Sequence, residues 1–548
     1  MKKKGLAILL ASLVGLSFLT ACGSEKEESA LPAPTAVEQV LNVSLDAEPD
    51  SLDIARVSDS YSFAVAAQVF EGLMSIEVKD GKEVPVAALA EKWESSEDGL
   101  TWTFHLRDAK WSDGEPVKAQ DFEYGMKRIL DPKTASPISW DLTFLLNAEQ
   151  AINGEKTLDE VGVKAIDDKT LELKLAYPVP YLLTSVSGVA CYPVRKDIVE
   201  KFGTSYGTEA DKMVFCGPFA MTEWVHNSKI AFDKNENYWD HAKVKLEQLN
   251  FKIIAEEMAM MGEFENGNLD MVGVGSAEWI DKLSQENKYE KQVLALPRTQ
   301  YLFFNQEIKL FSNAKVRKAF SVALNREEIV KDVFKDVDKV AYGWIPSCMD
   351  LDGENFRSMA GEPIKALIDE VKDPKALLVE GMKELGLGDD PTQINIQLMV
   401  RNTAKGFGEY LQHHYKETLG VNITLDPVEW PVFQERNRGL DYEMGFKSYG
   451  ADINDPASML TLWMTGMKTV PTGWSNAKYD ALIKEASTSL DQAIRKNNFI
   501  EAERLLIQED AAIVPYAYQT STIFLQKNVK GIEQSVFLAS SYKNAYKE

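Results

Sequence analysis

The 548-residue chain carries 84 acidic against 60 basic residues, a formal charge of −24. So acidic a chain speaks against a nucleic-acid partner and against a polybasic membrane patch, which both need clustered positive charge. Hydrophobic residues make up 45%, as in an ordinary globular protein, and the length exceeds what one core fills, so two or more lobes are expected.

Lys2, Lys3 and Lys4 open the chain, and residues 5–21 follow without a charge, rich in Leu, Ala and Val. A basic start followed by an apolar run of this kind reads as a secretory leader. It ends Leu19-Thr20-Ala21-Cys22, which resembles the small-residue cleavage site and Cys of a bacterial lipobox. Residues 1–21 are therefore expected to be removed and Cys22 to carry lipid. A plain signal peptide and an uncleaved anchor slightly short for a span are the alternatives. The acidic, Ser/Pro/Ala-rich stretch that completes residues 22–40 reads as a flexible tether. No later segment is apolar enough to span a bilayer, so the body is expected outside the cytoplasm, held to the membrane by the lipid alone.

The body opens with alternating residues 41–45, a strand, followed by Glu48-Pro49-Asp50-Ser51-Leu52-Asp53. Residues 101–107 alternate with Trp102, Phe104 and Leu106 on one face, and Leu171, Leu173 and Leu175 repeat the pattern. Phe122, Met126 and Ile129 fall at helical spacing, as do Val316, Phe320 and Ala323 behind a cap at Ser312 or Asn313. Asn325 with Glu328 forms a capping box ahead of Ile329, Val330 and Val333. Tyr479, Leu482, Ile483 and Ala486 mark another helix, and Pro515 is expected to close the long helix that begins after Asp491. Strands and helices mix without repeats, which is an α/β or α+β body.

Candidate chemistry is sparse. Gly203-Thr204-Ser205-Tyr206-Gly207 matches the G-x-S-x-G nucleophile string, but it follows a helical stretch where the motif requires a strand. Asp350-Leu351-Asp352-Gly353 departs from a calcium loop, with Gly two places early and no closing Glu. His413 and His414 point about 100° apart on a helix, unlike a metal pair. Beyond Cys22 the cysteines are Cys191, Cys216 and Cys348. An odd number leaves one thiol unpaired, and Cys191 with Cys216 is the candidate disulfide, buried free thiols being the alternative. No metal site, cofactor or enzymatic activity is expected, and the absence of a phosphate-binding loop leaves any transport to be powered by another chain.

One segment is more telling. Leu89-Ala90-Glu91-Lys92-Trp93, then Asp98-Gly99-Leu100-Thr101-Trp102-Thr103-Phe104-His105-Leu106-Arg107, then Lys110-Trp111-Ser112-Asp113-Gly114 closely resembles the signature of the oligopeptide/dipeptide family of ABC-transporter solute-binding proteins (extracellular solute-binding family 5). The gap between Arg107 and the Trp-Ser-Asp-Gly run is one residue longer than usual. Further blocks agree in order, among them Asp131-Pro132-Lys133-Thr134-Ala135-Ser136-Pro137, Cys216-Gly217-Pro218-Phe219, Val316-Arg317-Lys318-Ala319 and Gly450-Ala451-Asp452.

The resemblance implies a periplasmic-binding-protein-like α/β clamp of type II with an extra domain. Residues 41–60, 185–300 and 515–548 would form one lobe, 61–184 the extra domain and 301–514 the other lobe. A monomer would trap a peptide by hinge closure and deliver it to an ABC permease served by a separate ATPase. The family's acidic anchor for the ligand α-ammonium matches Asp452, with a turn or cap role as the alternative, and Tyr449, Gly450 and Ala451 would form the wall beside it. Ala47, Glu48 and Pro49 would line the opposite side, and Phe215, Cys216 and Gly217 would pair with peptide backbone. Ile138 and Trp140 would approach from the extra domain, and Arg436 and Lys447 are candidates for the ligand carboxylate. Within the family a nickel, sugar or opine ligand is the competing reading, and peptide sensing at the surface is a second.

Overall fold

The computed structural model describes residues 37–79 and 82–548. The leader, Cys22 and most of the tether lie outside the described residues.

The alternating strand read at the start of the body spans Val40–Leu45, with Leu41, Val43 and Leu45 buried. It pairs in parallel with Gln248–Ile253 at the centre of one half of an eleven-stranded sheet. Lys229–Lys234 and Phe219–Val225 complete that half on one side, and Met271–Val274 lies on the other. The second half is built from Met444–Gly450, Asn395–Arg401 and Asn422–Val428. Two long antiparallel strands, Tyr289–Phe304 and Ile513–Gln526, run through both halves side by side. Residues 289–295 pair with 520–526 in the first half, and 299–303 pair with 513–518 in the second. Between them the register breaks, and Leu296, Pro297 and Arg298 have no partner on the Ile513–Gln526 strand. The architecture is the two-lobed α/β clamp expected from the resemblance, with the shared strands joining its halves.

A separate four-stranded sheet of Ala90–Ser95, Thr101–Leu106, Thr170–Lys174 and Val163–Ala165 carries the two patterned strands. Phe104, Leu106, Leu171 and Leu173 are buried, as their alternation requires, and helix Ala119–Leu130 covers them with Phe122, Met126 and Ile129. One hydrophobic core runs through this sheet into the first half of the large sheet, whereas the second half has cores of its own. Arg128 on the covering helix forms a two-pronged ion pair with buried Asp53, which fixes the helix to the segment after the first strand.

Local chemistry sets the helix ends. Asn313, rather than Ser312, caps Ala314–Ala323 by accepting from the Lys315 amide, and Asn325 accepts from the Glu328 amide as the capping box requires. The serine motif is structural. Gly203 ends helix Lys196–Phe202 with φ +56, and Ser205 Oγ donates to the Phe202 carbonyl at 2.9 Å. Gly207 has φ +81, and a Cβ there would lie 2.3 Å from the Asp53 amide nitrogen, so only glycine fits. Pro515 departs from expectation. The helix after Asp491 runs Gln492–Arg504 and ends in a wider turn at Leu505–Glu509, and Pro515 lies inside the following strand. There a register shift at Gln300/Tyr301 accommodates a residue without an amide proton.

Candidate functional site

Strand Met444–Gly450 ends beside the break in Tyr289–Phe304. Arg298 stands opposite Gly450, and the Ala451 amide donates to the Pro297 carbonyl at 2.8 Å, which carries the pairing one residue past the strand. The chain then turns, the Asp452 amide donating to Ser458 Oγ at 2.9 Å and buried Asp455 accepting from the Ala457 amide. Asp455 also holds the guanidinium of buried Arg495. Asp455 therefore fills the turn role weighed for Asp452, and among the described residues the Asp452 carboxylate is left without a hydrogen bond or ion pair.

Beside it lies a cavity of about 750 Å³ between the two halves. Gly450, Ala451 and Asp452 line it, as do Ile138, Trp140 and Asp141 from the segment after helix Ala119–Leu130. Leu296, Pro297 and Arg298 form its floor at the strand break. Helix Ser60–Val69 contributes Phe63 and Ala67, the turn after Thr184 contributes Ser185, Ser187 and Gly188, and the C-terminal segment adds Glu533, Val536, Phe537 and Lys543. Trp140 is 60% exposed, an unusual state for a large aromatic and one suited to contact with a ligand.

The charged groups on this wall divide into two sets. Glu71 accepts from Trp239 Nε1 at 2.5 Å and from the Tyr238 hydroxyl, Glu533 from Asn544 Nδ2 at 2.7 Å, and Lys543 pairs with Asp240 at 2.8 Å. Among the described residues, the side chains of Asp141, Arg298 and Asp452 have no hydrogen bond and no ion pair. Surrounding protein raises the pKa of Asp452, and the positive charge of Arg298 opposes the rise. Asp141 is pushed up to about 6, first by loss of water and then by the negative charge of Asp452. Two carboxylates and one guanidinium thus face the cavity unsatisfied, an arrangement made for a polar ligand that brings its own counter-charges.

Other expected site residues are placed elsewhere. Glu48 does not line this cavity. Partial burial pushes its pKa up, yet bonds from His226 Nδ1 at 2.5 Å, the Asn227 amide and Trp224 Nε1 at 2.8 Å hold it below the usual range. It ties down a hairpin, and its neighbours Ala47 and Pro49 likewise stand off the cavity. Phe215, Cys216 and Gly217 are spoken for within the protein. The amides of Cys216 and Gly217 both donate to the Val69 carbonyl, at 3.1 and 2.8 Å, while the Phe215 carbonyl accepts from Ser112. Tyr449 packs against the core of the second half.

Neither proposed carboxylate partner reaches the cavity. Arg436 is held by Asp426 at 2.6 Å and Asp441 at 3.1 Å. Lys447 donates to Asn437 Oδ1 at 2.6 Å, and loss of water lowers its pKa to about 8. Cys191 and Cys216 are separate buried free thiols, not a disulfide. The Cys216 sulfur faces the Glu71 carbonyl at 4.0 Å, and burial raises both thiol pKa values.

His414 Nε2 lies 2.7 Å from the Ala323 carbonyl and His413 beside Glu417, and the described residues contain no cluster of metal-ligating side chains. Asp352, in the calcium-like string, pairs with Arg495 at 3.3 Å.

Asp141, Arg298 and the C-terminal wall carry no local sequence signal that marks them for the site. Asp141 stands one residue beyond the segment expected to approach the ligand, which was the nearest available clue.

Comparison with known proteins gives a consistent result. The family model "Bacterial extracellular solute-binding proteins, family 5 Middle" matches residues 84–469. The dipeptide-binding protein DppE of Bacillus subtilis is 36% identical over 527 residues, covering 95% of each chain. The unliganded open form of MppA, a periplasmic murein tripeptide-binding protein, superimposes with a TM-score of 0.78 at 27% identity, covering 93% of this chain and 98% of that one. Listeria monocytogenes OppA bound to peptide gives a TM-score of 0.72 at 27% identity, with 93% and 99% covered.

Proposed function

Because the chain belongs to family 5 of the bacterial extracellular solute-binding proteins, which are binding proteins rather than enzymes, we propose that it captures peptides and hands them to an ABC permease with a separate ATPase. A lipid on Cys22 holds the protein, as a monomer, to the outer face of the cell membrane. Residues 41–60, 185–300 and 515–548 act as one lobe and 301–514 as the other. Residues 61–184 form the extra domain, and closure occurs about the strand break at 296–298.

The observation that carries the peptide reading is the unpaired Asp452 carboxylate on the cavity wall. Peptides of different sequence share an α-ammonium, a backbone and a carboxylate, and a binder of broad range reads those shared groups while side chains occupy roomy space. Asp452 supplies the ammonium site and exposed Trp140 an adaptable apolar surface. Relatives named for dipeptides, a murein tripeptide and oligopeptides support the same ligand class.

A thermal-shift panel tests the reading. Free peptides are expected to raise the melting temperature, by an amount that keeps growing with the logarithm of peptide concentration above Kd, since a ligand of the folded state stabilises it. Stabilisation by nickel or sugars with none from peptides would end it.

The pair Asp141 and Asp452 adds a pH dependence. A cationic amine near both favours their ionised forms, so its arrival releases a proton from Asp141 at a pH near 6. Affinity is expected to fall as pH drops through that value, by up to about fivefold between pH 7.5 and 5 for a shift of up to one unit. Calorimetry at pH 6 in buffers of different ionisation enthalpy should detect the released proton, and Asp141→Asn should abolish most of it. A binding enthalpy independent of buffer would show that Asp141 does not sense the ligand.

A further inference from the structure

We infer that two contacts outside the cavity, Lys82 on the turn at Gly353 and Leu490 on the turn at Gly99, form a latch that holds the two halves together and slows ligand release. The latch goes beyond the peptide reading above, since it depends on the two-lobed clamp and not on what the clamp holds.

The first contact sits on an arm. Among the described residues, strands Met74–Lys79 and Lys82–Ala87 pair only with each other. Met74 is buried in the core at the base of the arm, whereas Lys79 and Lys82 at its far end are exposed. A two-stranded ribbon has little stability of its own, so contacts near its far end decide where it rests. Glu83 accepts from the Ser535 hydroxyl at 2.9 Å and the Val536 amide at 2.6 Å, which fastens the arm to the C-terminal segment. Beside it, Lys82 Nζ reaches into the second half, donating to the Gly353 carbonyl at 2.6 Å with the Asp350 carboxylate at 3.8 Å. The second contact is apolar. Leu490 links helices Ala477–Thr488 and Gln492–Arg504 of the second half, and its Cδ1 would lie 3.1 Å from a Cβ on Gly99, with Pro178 beside it. Gly99 and Pro178 belong to the smaller sheet's loops, which share a core with the first half.

Both contacts land on one braced unit. Buried Arg495 bonds Asp352, next to Gly353, at 3.3 Å and the Ala486 carbonyl, in the helix before Leu490, at 3.1 Å. The same guanidinium holds Asp455, and the Asp350 amide donates to Asn454 Oδ1 at 2.8 Å. Asn454 and Asp455 lie in the turn that follows Asp452, so the surface that receives the latch and the turn that borders the cavity are tied together. A ligand that draws this turn inward engages the latch, and the latch in turn holds the ligand in. The Lys82 side chain is half exposed and Leu490 is 52% exposed, so neither belongs to the core and each contact can part without unfolding the protein. An exposed charged contact is worth a factor of about five at most, which biases the clamp toward closure without locking it.

The test measures the distance between spin labels on exposed residues of the two halves, introduced by Glu236→Cys and Lys383→Cys, with Cys348→Ser removing a competing thiol in every protein compared. In the absence of ligand, Lys82→Met is expected to lower the closed-to-open ratio by about twofold to fivefold. Leu490→Ala should have an effect of similar size, and the double variant a larger one than either, with melting temperatures unchanged. Raising salt from about 0.05 M to about 0.5 M should bring the wild type toward Lys82→Met and leave Lys82→Met itself unmoved, because salt screens the charged contact and not the apolar one. Dissociation of trialanine followed by stopped flow should quicken in the double variant by at least the factor seen for Lys82→Met. A double variant whose ligand-free distances match those of the wild type would overturn the latch. If trialanine does not bind, the peptide reading is at fault, and the ligand-free distances still decide the latch.

Discussion

Replacing Asp452 with Asn is expected to weaken binding of a peptide with a free amine by about 10- to 100-fold, the worth of one hydrogen bond between charged groups. Among the described residues the carboxylate has no hydrogen-bond or ion-pair partner and only the nearby charge of Arg298 acts on it, so the substitution removes no internal bond and the fold should be untouched. The loss arises at the ligand, whose ammonium leaves water and finds a neutral amide in place of a counter-charge. Binding measured by calorimetry on the two proteins, with melting temperatures alongside, separates these effects. Equal affinities would mean that the amine is held elsewhere or remains in water.

The largest effect on stability is expected at Glu503. Its side chain is fully buried, accepts from the Trp344 and Ile345 amides at 2.8 and 2.9 Å, and is gripped by both terminal nitrogens of Arg357. Glycine at 343 leaves the space that the guanidinium occupies, since a Cβ there would lie 1.3 Å from Nη1. Removing the carboxylate strands a buried cation and two buried amides, at a cost of about 3–5 kcal/mol. Glu503→Ala should therefore lower the denaturant midpoint sharply without changing residues of the cavity wall. The effect reaches the strand break as well, because the Trp344 carbonyl accepts from Thr299, beside Arg298. A midpoint within experimental error of wild type would show that the site relaxes and admits water.

What could be read from the sequence was local. The strands through Phe104 and Leu171 follow from alternation, the caps at Asn313 and Asn325 from side chains that bond within three residues, and the end of helix Lys196–Phe202 from Gly203. Asp452 was reachable because Gly450-Ala451-Asp452 resembles a family block, and it lies on the cavity wall. Arg298 was not reachable. It matters because Gly450, about 150 residues later, stands opposite it, and no local pattern records such a pairing. The same holds for Arg436, whose partners Asp426 and Asp441 could be named only once the strand and helix carrying them had packed. Pro515 misled because a proline that ends a helix and one placed at a sheet irregularity look alike in sequence. Glu48 and Cys216 were expected at the ligand, and tertiary hydrogen bonds had already claimed both segments.

The crystal structure of the protein with a bound tripeptide tests the central claim most directly. The account expects the peptide in the cavity between the lobes, its amine within hydrogen-bonding distance of Asp452 and the lobes drawn together about residues 296–298. A peptide bound with its amine away from Asp452, or on another face of the molecule, would contradict it.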